Sequence, residues 1–178
     1  MKDLDKAIII LGIVGLFLSE RMGQMPTIEM VRIDNRLIHG QVSTRWCTQL
    51  DINTIIVVND SVAANKIQQG LFDMSIPDTF DSRYYSISKA INKIPTMSSE
   101  KKILIVVECI DDLRQLVEAG LTIPYVNIGN LDMSAGKRHI SPTTCMNQTE
   151  LDWITALAQS GTKVEIRRIP SEDAIKIF

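Results

Sequence analysis

From Thr27 onward the chain alternates between short runs rich in Ile and Val and longer segments whose apolar residues recur at helical spacing. The apolar runs fall at 28–33, 54–58, 84–87, 103–107, 125–128 and 164–169. A strand with one face in water alternates apolar and polar residues, whereas a strand covered on both faces reads as a nearly continuous apolar run. Several of these runs are of the second kind, so they predict buried parallel strands. Between them the pattern predicts helices at 41–50, 63–74, 88–94, 111–119 and 149–160. This alternation is that of an α/β domain with a mainly parallel central sheet flanked by helices on both faces. Asp111 and Gly120 are placed to start and stop one helix, and Thr149 and Gly161 another. Pro170 closes the last strand, and Ser171 is placed to cap a short terminal helix. No internal repeat or low-complexity linker interrupts 27–178, which therefore reads as one domain.

The segment 1–26 stands apart. Residues 7–18 form an apolar run of 12 residues, well short of the roughly 20 that a membrane-spanning helix needs. Lys2, Asp3, Asp5 and Lys6 cancel in charge, and no small-residue cleavage pattern follows at 19–27, unlike a secretory signal. Two readings remain: an extra apolar helix packed on the domain or a partner, or upstream sequence preceding a start at Met22 or Met25. The second is preferred.

Composition narrows the function more than the fold. The chain has 178 residues, a formal net charge of -2 and a pI near 5.7, so no basic excess points to a nucleic-acid partner. Cys47, Cys109 and Cys145 lack the close pairs of zinc or redox motifs, and are expected to be small core residues or unreactive thiols in a reducing cytosol.

Ligands of open α/β sheets gather where strands end and helices begin. The stretch Arg32-Ile-Asp-Asn-Arg-Leu-Ile-His-Gly40 leaves the first strand and reaches the first helix, which puts His39 on such a loop. Arg32, Arg36 and Arg45 lie close by in sequence, and a guanidinium binds phosphate oxygens through paired hydrogen bonds. The helix start adds free N–H groups, and Gly40 permits close backbone approach. A largely neutral imidazole can attack a phosphoryl group through one ring nitrogen while the other is held by a hydrogen bond. Asp34 is either a general base or, the favoured reading, the carboxylate that fixes guanidinium geometry. The loop 127–139 is rich in Gly and small polar residues and is expected to close over the site, with Lys137 adding positive charge. His139 reads as an ordinary surface or hydrogen-bonded histidine, and Trp46 and Trp153 as packing residues. The sequence lacks the glycine-rich nucleotide-binding signatures, and its two histidines form no metal motif.

Met30-Val-Arg-Ile-Asp-Asn-Arg-Leu-Ile-His-Gly-Gln41 closely resembles the active-site signature of mannose/sorbose-family IIB components of bacterial phosphotransferase systems. The likeness continues through Ile56-Val-Val-Asn-Asp60, Lys102-Ile-Leu-Ile-Val-Val107, Val117-Glu-Ala-Gly120 and Val126-Asn-Ile-Gly-Asn130, and covers nearly everything from Thr27 on. The resemblance implies a phosphohistidine at His39, on Nδ1, framed by Arg36 and Asp34; Arg32, Gly40 and Lys137 stand beside them as phosphate-binding candidates from their positions and chemistry alone. Phosphate would arrive from the phosphohistidine of a IIA protein or domain and leave to a sugar bound by membrane IIC and IID subunits. No metal, nucleotide or other cofactor is implied. The carrier would be cytoplasmic, held at the inner face of the cell membrane through its partners, and a homodimer is compatible with this role. Asn59-Asp-Ser-Val and Lys66-Ile-Gln-Gln69 resemble the N-acetylgalactosamine branch, whereas 1–26 departs from the family. Two rivals are a regulatory module phosphorylated on His39 to report pathway flux, and a hydrolase using His39 as general base. The hydrolase lacks a recognisable Ser or Cys nucleophile motif.

Overall fold

The computed structural model describes residues 25–175 and Ile177; the apolar run at 7–18 lies outside them. The strands are β1 (Thr27–Asp34), β2 (Thr54–Val58), β3 (Asp81–Tyr85), β4 (Lys102–Val107), β5 (Tyr125–Asn130), β6 (Arg138–Ser141), β7 (Thr144–Met146) and β8 (Lys163–Ile166). The helices are α1 (Gly40–Gln49), α2 (Asp60–Ala64), α3 (Lys66–Asp73), α4 (Ile87–Lys93), α5 (Ile110–Glu118) and α6 (Gln148–Gln159). Six strands form one sheet in the order β3-β2-β4-β1-β5-β8, every pair parallel, and β6 with β7 makes a separate antiparallel hairpin. Among the described residues no helix is long and apolar enough to cross a membrane.

The continuous Ile and Val runs follow from burial on both faces. On one face Val31, Ile33, Ile56, Ile105 and Ile128 pack with Ala90, Leu113, Leu116, Ile154 and Leu157 from α4, α5 and α6. On the other, Met30, Ile55, Val57, Leu104 and Val106 pack with Trp46 and Cys47 of α1 and Val62 of α2. Successive strand residues point to opposite sides, so each run feeds two cores. Trp153 packs at the margin of the first core and Trp46 is fully buried in the second, as expected of both.

Local capping corrects several sequence boundaries. The helix expected at 63–74 is two helices. Asn65 between them is extended, and its side chain accepts from the Gln68 N–H to start α3, as Asn59 accepts from Val62 N–H to start α2. Thr149 does not cap α6: Asn147 does, in a reciprocal capping box with Glu150. Cys109, not Asp111, stands at the N-cap of α5, and Asp111 lies in the first turn, where negative charge suits the helix dipole. The strand expected at 84–87 is β3, starting at Asp81; as an edge strand it tolerates polar residues, and Ser86 begins the next helix. No terminal helix follows Ser171 among the described residues. Instead Ile175 turns back to pair with Ile166 along the outer edge of β8. Gly120 and Gly161, at φ 91° and 106°, end their helices as expected.

Candidate functional site

The connections leaving the neighbours β1 and β5 carry the chain toward opposite edges of the sheet, which opens a crevice at their C-terminal ends. Strand alternation puts Arg32 and Asp34 on the same side of β1 as Met30, toward α1. Both are buried. A buried charge is tolerable only when paired and hydrogen-bonded, and here the pairing is extensive. Asp34 Oδ2 accepts from Arg32 Nη2 at 2.8 Å, and its two oxygens also take Arg36 N and Nε, both at 3.1 Å, and Arg36 Nη2 at 3.3 Å. Arg32 Nη1 donates further to Asn127 Oδ1 and to the carbonyls of Arg167 and Arg168 at 3.4 and 3.2 Å. Gly129 makes room for this guanidinium, since a Cβ there would lie 1.9 Å from Arg32 Nη2.

Burial lowers the proton affinity of Arg32 and Asp34 restores part of it, whereas hydrogen bonding to Asp34 raises that of Arg36. Asp34 is thus surrounded by donors from both arginines, as a carboxylate that fixes guanidinium geometry would be. Arg32 lines the cavity with both terminal nitrogens already engaged, while the half-exposed Arg36 reaches toward solvent.

The loop between β1 and α1 is shaped by its apolar residues. Leu37 and Ile38 are buried, and Leu37 adopts φ 56°, a left-handed conformation uncommon for a leucine. Its N–H donates to the Asp34 carbonyl at 2.8 Å, and Asn35 is tied to Asn130 at the end of β5 by backbone and side-chain bonds. Pinned on both sides, the loop delivers His39 to the N-cap of α1 with its side chain exposed and making no capping bond. The first turn of α1 carries no acidic residue, so the positive end of the helix beside His39 is not neutralised by the helix's own side chains. Gly40 is demanded by packing: a Cβ would lie 2.3 Å from the Ser75 carbonyl oxygen.

His39, Arg32, Arg36, Arg45 and Arg168 line one open cavity of about 310 Å³. It combines an exposed imidazole, several guanidinium groups and a helix N-terminus, which suits a phosphoryl group. A second cavity of about 390 Å³ at the opposite end of β1, bordered by Met25, Ile28, Ile94 and Leu121, contains no charged side chain and no imidazole. Among the described residues no group of three or more His, Cys, Asp or Glu is placed to hold a metal ion.

The loop 127–139 meets the site only at its beginning, through Asn127, Gly129 and Asn130. Lys137 is not brought to the cavity: its Nζ pairs with Glu150 Oε1 at 2.8 Å, beside the start of α6. His139 lies on β6 with Nδ1 3.2 Å from Cys145 Sγ. The three cysteines are unpaired with one another; burial raises the Cys109 thiol and pushes that of Cys47 up to about 12, which favours inert thiols. Sequence reasoning missed Arg168, which was hidden inside the strand expected at 164–169. β8 ends at Ile166, and the Arg167-Arg168 pair just beyond it was the available signal.

The family model for the PTS system sorbose subfamily IIB component matches residues 28–177. The chain is 35% identical over 153 residues to the N-acetylgalactosamine-specific phosphotransferase enzyme IIB component 1 of Escherichia coli, spanning 85% of this chain and 97% of that protein. It is 32% identical over 154 residues to component 2 of the same organism, spanning 86% and 98%. Among solved structures it is similar to the crystal structure of the Escherichia coli N-acetylgalactosamine-specific IIB component 1, with a TM-score of 0.79 and 34% identity over 84% of this chain and 99% of that one.

Proposed function

The chain belongs to the sorbose subfamily of phosphotransferase-system IIB components, phosphotransferases of sugar uptake, and on that premise we propose that it carries a phosphoryl group on His39. The observation that supports this reading most directly is the exposed imidazole at the N-cap of α1, within the arginine-lined cavity. In the first half-reaction a His39 ring nitrogen, Nδ1 in this reading, attacks the phosphorus of a phosphohistidine on a IIA protein or domain. One P–N bond forms as another breaks, and no electron is exchanged. In the second, the P–N bond at His39 breaks, a P–O bond forms on the sugar, and the proton of the attacking hydroxyl ends on the departing imidazole, which restores neutral His39. Arg36 and the free N–H groups of α1 hold the phosphoryl oxygens, because such transfers depend on positioning and on cationic donors around the equatorial oxygens. Asp34 fixes Arg36, and Arg32 fixes Asp34.

The carrier domain runs over 27–178 and works at the cytoplasmic face of the membrane, meeting the IIA donor and then the sugar-bearing IIC and IID subunits in turn. N-acetylgalactosamine is the favoured sugar, since the relatives described above are N-acetylgalactosamine-specific components. The test is to incubate the chain with a phosphorylated IIA protein and map the label by mass spectrometry. Label on the peptide containing His39, lost in acid and stable to mild alkali, is the expected outcome, because protonation cleaves a phosphoramidate. Acid-stable label elsewhere would overturn the reading.

A further inference from the structure

Arg168 lines the cavity with His39 and Arg36, two residues beyond the C-terminal end of β8. Its main chain is anchored, because the Arg168 carbonyl accepts from Arg32 Nη1 and from Trp46 Nε1, both at 3.2 Å, and both donors belong to buried side chains. Its side chain, by contrast, is exposed. The guanidinium is held by Glu172, with Nε 3.0 Å from Oε1 and Nη2 on the same oxygen. A fixed backbone under a movable cationic head is the arrangement of a ligand that must meet a transient anion. Arg168 also lies near enough to Arg36 for its charge to disfavour that of Arg36, so two of the guanidinium groups that line the cavity are neighbours held by different carboxylates. The two pairs differ. Asp34 is buried beneath Arg36 and fixed by Arg32, whereas Glu172 is a solvent-screened neighbour four residues along the chain, and exposed pairs of this kind exchange readily. A phosphoryl group offers more negative charge and more acceptor oxygens than one carboxylate.

We infer that Arg168 is a catalytic residue of this carrier, a phosphoryl ligand that Glu172 holds aside while His39 is bare and releases when His39 becomes phosphorylated. The inference rests on the phosphocarrier reading. It adds to the exposed Arg45 a cation free to turn toward the phosphoryl group, which Arg32, engaged below, Arg36, gripped by Asp34, and the distant Lys137 are not.

The experiment uses the full chain and phosphoramidate, a small chemical donor of phosphoryl groups to imidazole, so that no protein partner enters the result. Wild type, Arg168→Ala, Arg168→Lys and Glu172→Gln are compared for initial rate of acid-labile label on His39, for the ³¹P resonance of the phosphohistidine, and for thermal transition. Arg168→Ala is expected to slow labelling at least about tenfold and to shift the ³¹P resonance with the thermal transition unchanged. Arg168→Lys should recover part of the rate, and Glu172→Gln should label faster than wild type, since the competing carboxylate is gone. Labelling of Arg168→Ala at the wild-type rate with an unshifted resonance overturns the inference alone. So does a Glu172→Gln chain as slow as Arg168→Ala, which would make the ion pair itself the functional unit. A wild-type chain that takes no phosphate on His39 overturns the carrier reading and this inference with it.

Discussion

His39 and His139 both have arginine nearby in sequence, Arg36 three positions before one and Arg138 beside the other, yet they occupy different environments. His39 stands at the C-terminal end of the sheet, at the N-cap of α1, above a buried Arg32–Asp34 pair. His139 stands on a short hairpin outside the main sheet. Its ring nitrogen is occupied by Cys145, and the nearby cation Lys137 is neutralised by Glu150. Positive charge along the chain is therefore a poor guide to positive charge at a site. What distinguishes the two places is whether the cations have partners of their own and whether a helix end points at the imidazole.

The largest expected effect separates the histidines outright. His39→Ala should take no label from a phosphorylated IIA protein, whereas His139→Ala should label as wild type does; loss of label in His139→Ala alone would reverse the assignment. Next comes the foundation beneath each. Asp34→Ala leaves Arg32 buried without its carboxylate and should cost about 3–5 kcal/mol of stability in a chemical denaturation series. Breaking the hairpin pair with Lys137→Ala should cost about 1 kcal/mol or less. Equal losses would mean that the two regions are built alike. Smaller again, Arg36→Lys keeps the charge but loses the planar fork that Asp34 grips, so transfer from phosphorylated IIA protein should slow about tenfold with an unchanged melting temperature. The smallest effect is expected from Lys137→Ala on that same transfer rate, which should not change; a clear drop would bring the loop 127–139 back over the site.

Much of this was legible in the residues. Five of the six sheet strands show as runs containing Ile and Val because burial on both faces removes the need for alternation, and the edge strand β3 was misplaced because its polar start, Asp81-Ser-Arg83, carries no such signal. His39, Arg36 and Asp34 were readable because they lie within a few positions of one another between a strand and a helix. Arg168 was not, since its approach to His39 depends on where β8 ends and on acceptor bonds reaching back to β1. Leu37 was equally silent: nothing in a leucine announces a left-handed backbone, and only the burial of its side chain explains why that conformation persists. Gly40 was picked out for close approach to a phosphate, and the packing demand from the Ser75 carbonyl was not legible.

The bonds from Arg32 to the carbonyls of Arg167 and Arg168 close a span of 135 and 136 residues, nearly the whole described chain. During synthesis the first strand leaves the ribosome long before its partners at the far end exist, so the histidine loop is made early and braced last. A nascent or prematurely terminated chain lacking the segment after β5 would display the imidazole without the carbonyls that hold Arg32 in place or the indole contact that anchors Arg168. Contacts of such long sequence separation form late and slowly. On the carrier reading proposed above, the site is complete only when its last strand has docked, so an unfinished copy is expected to lack the geometry to compete with a finished one for phosphate.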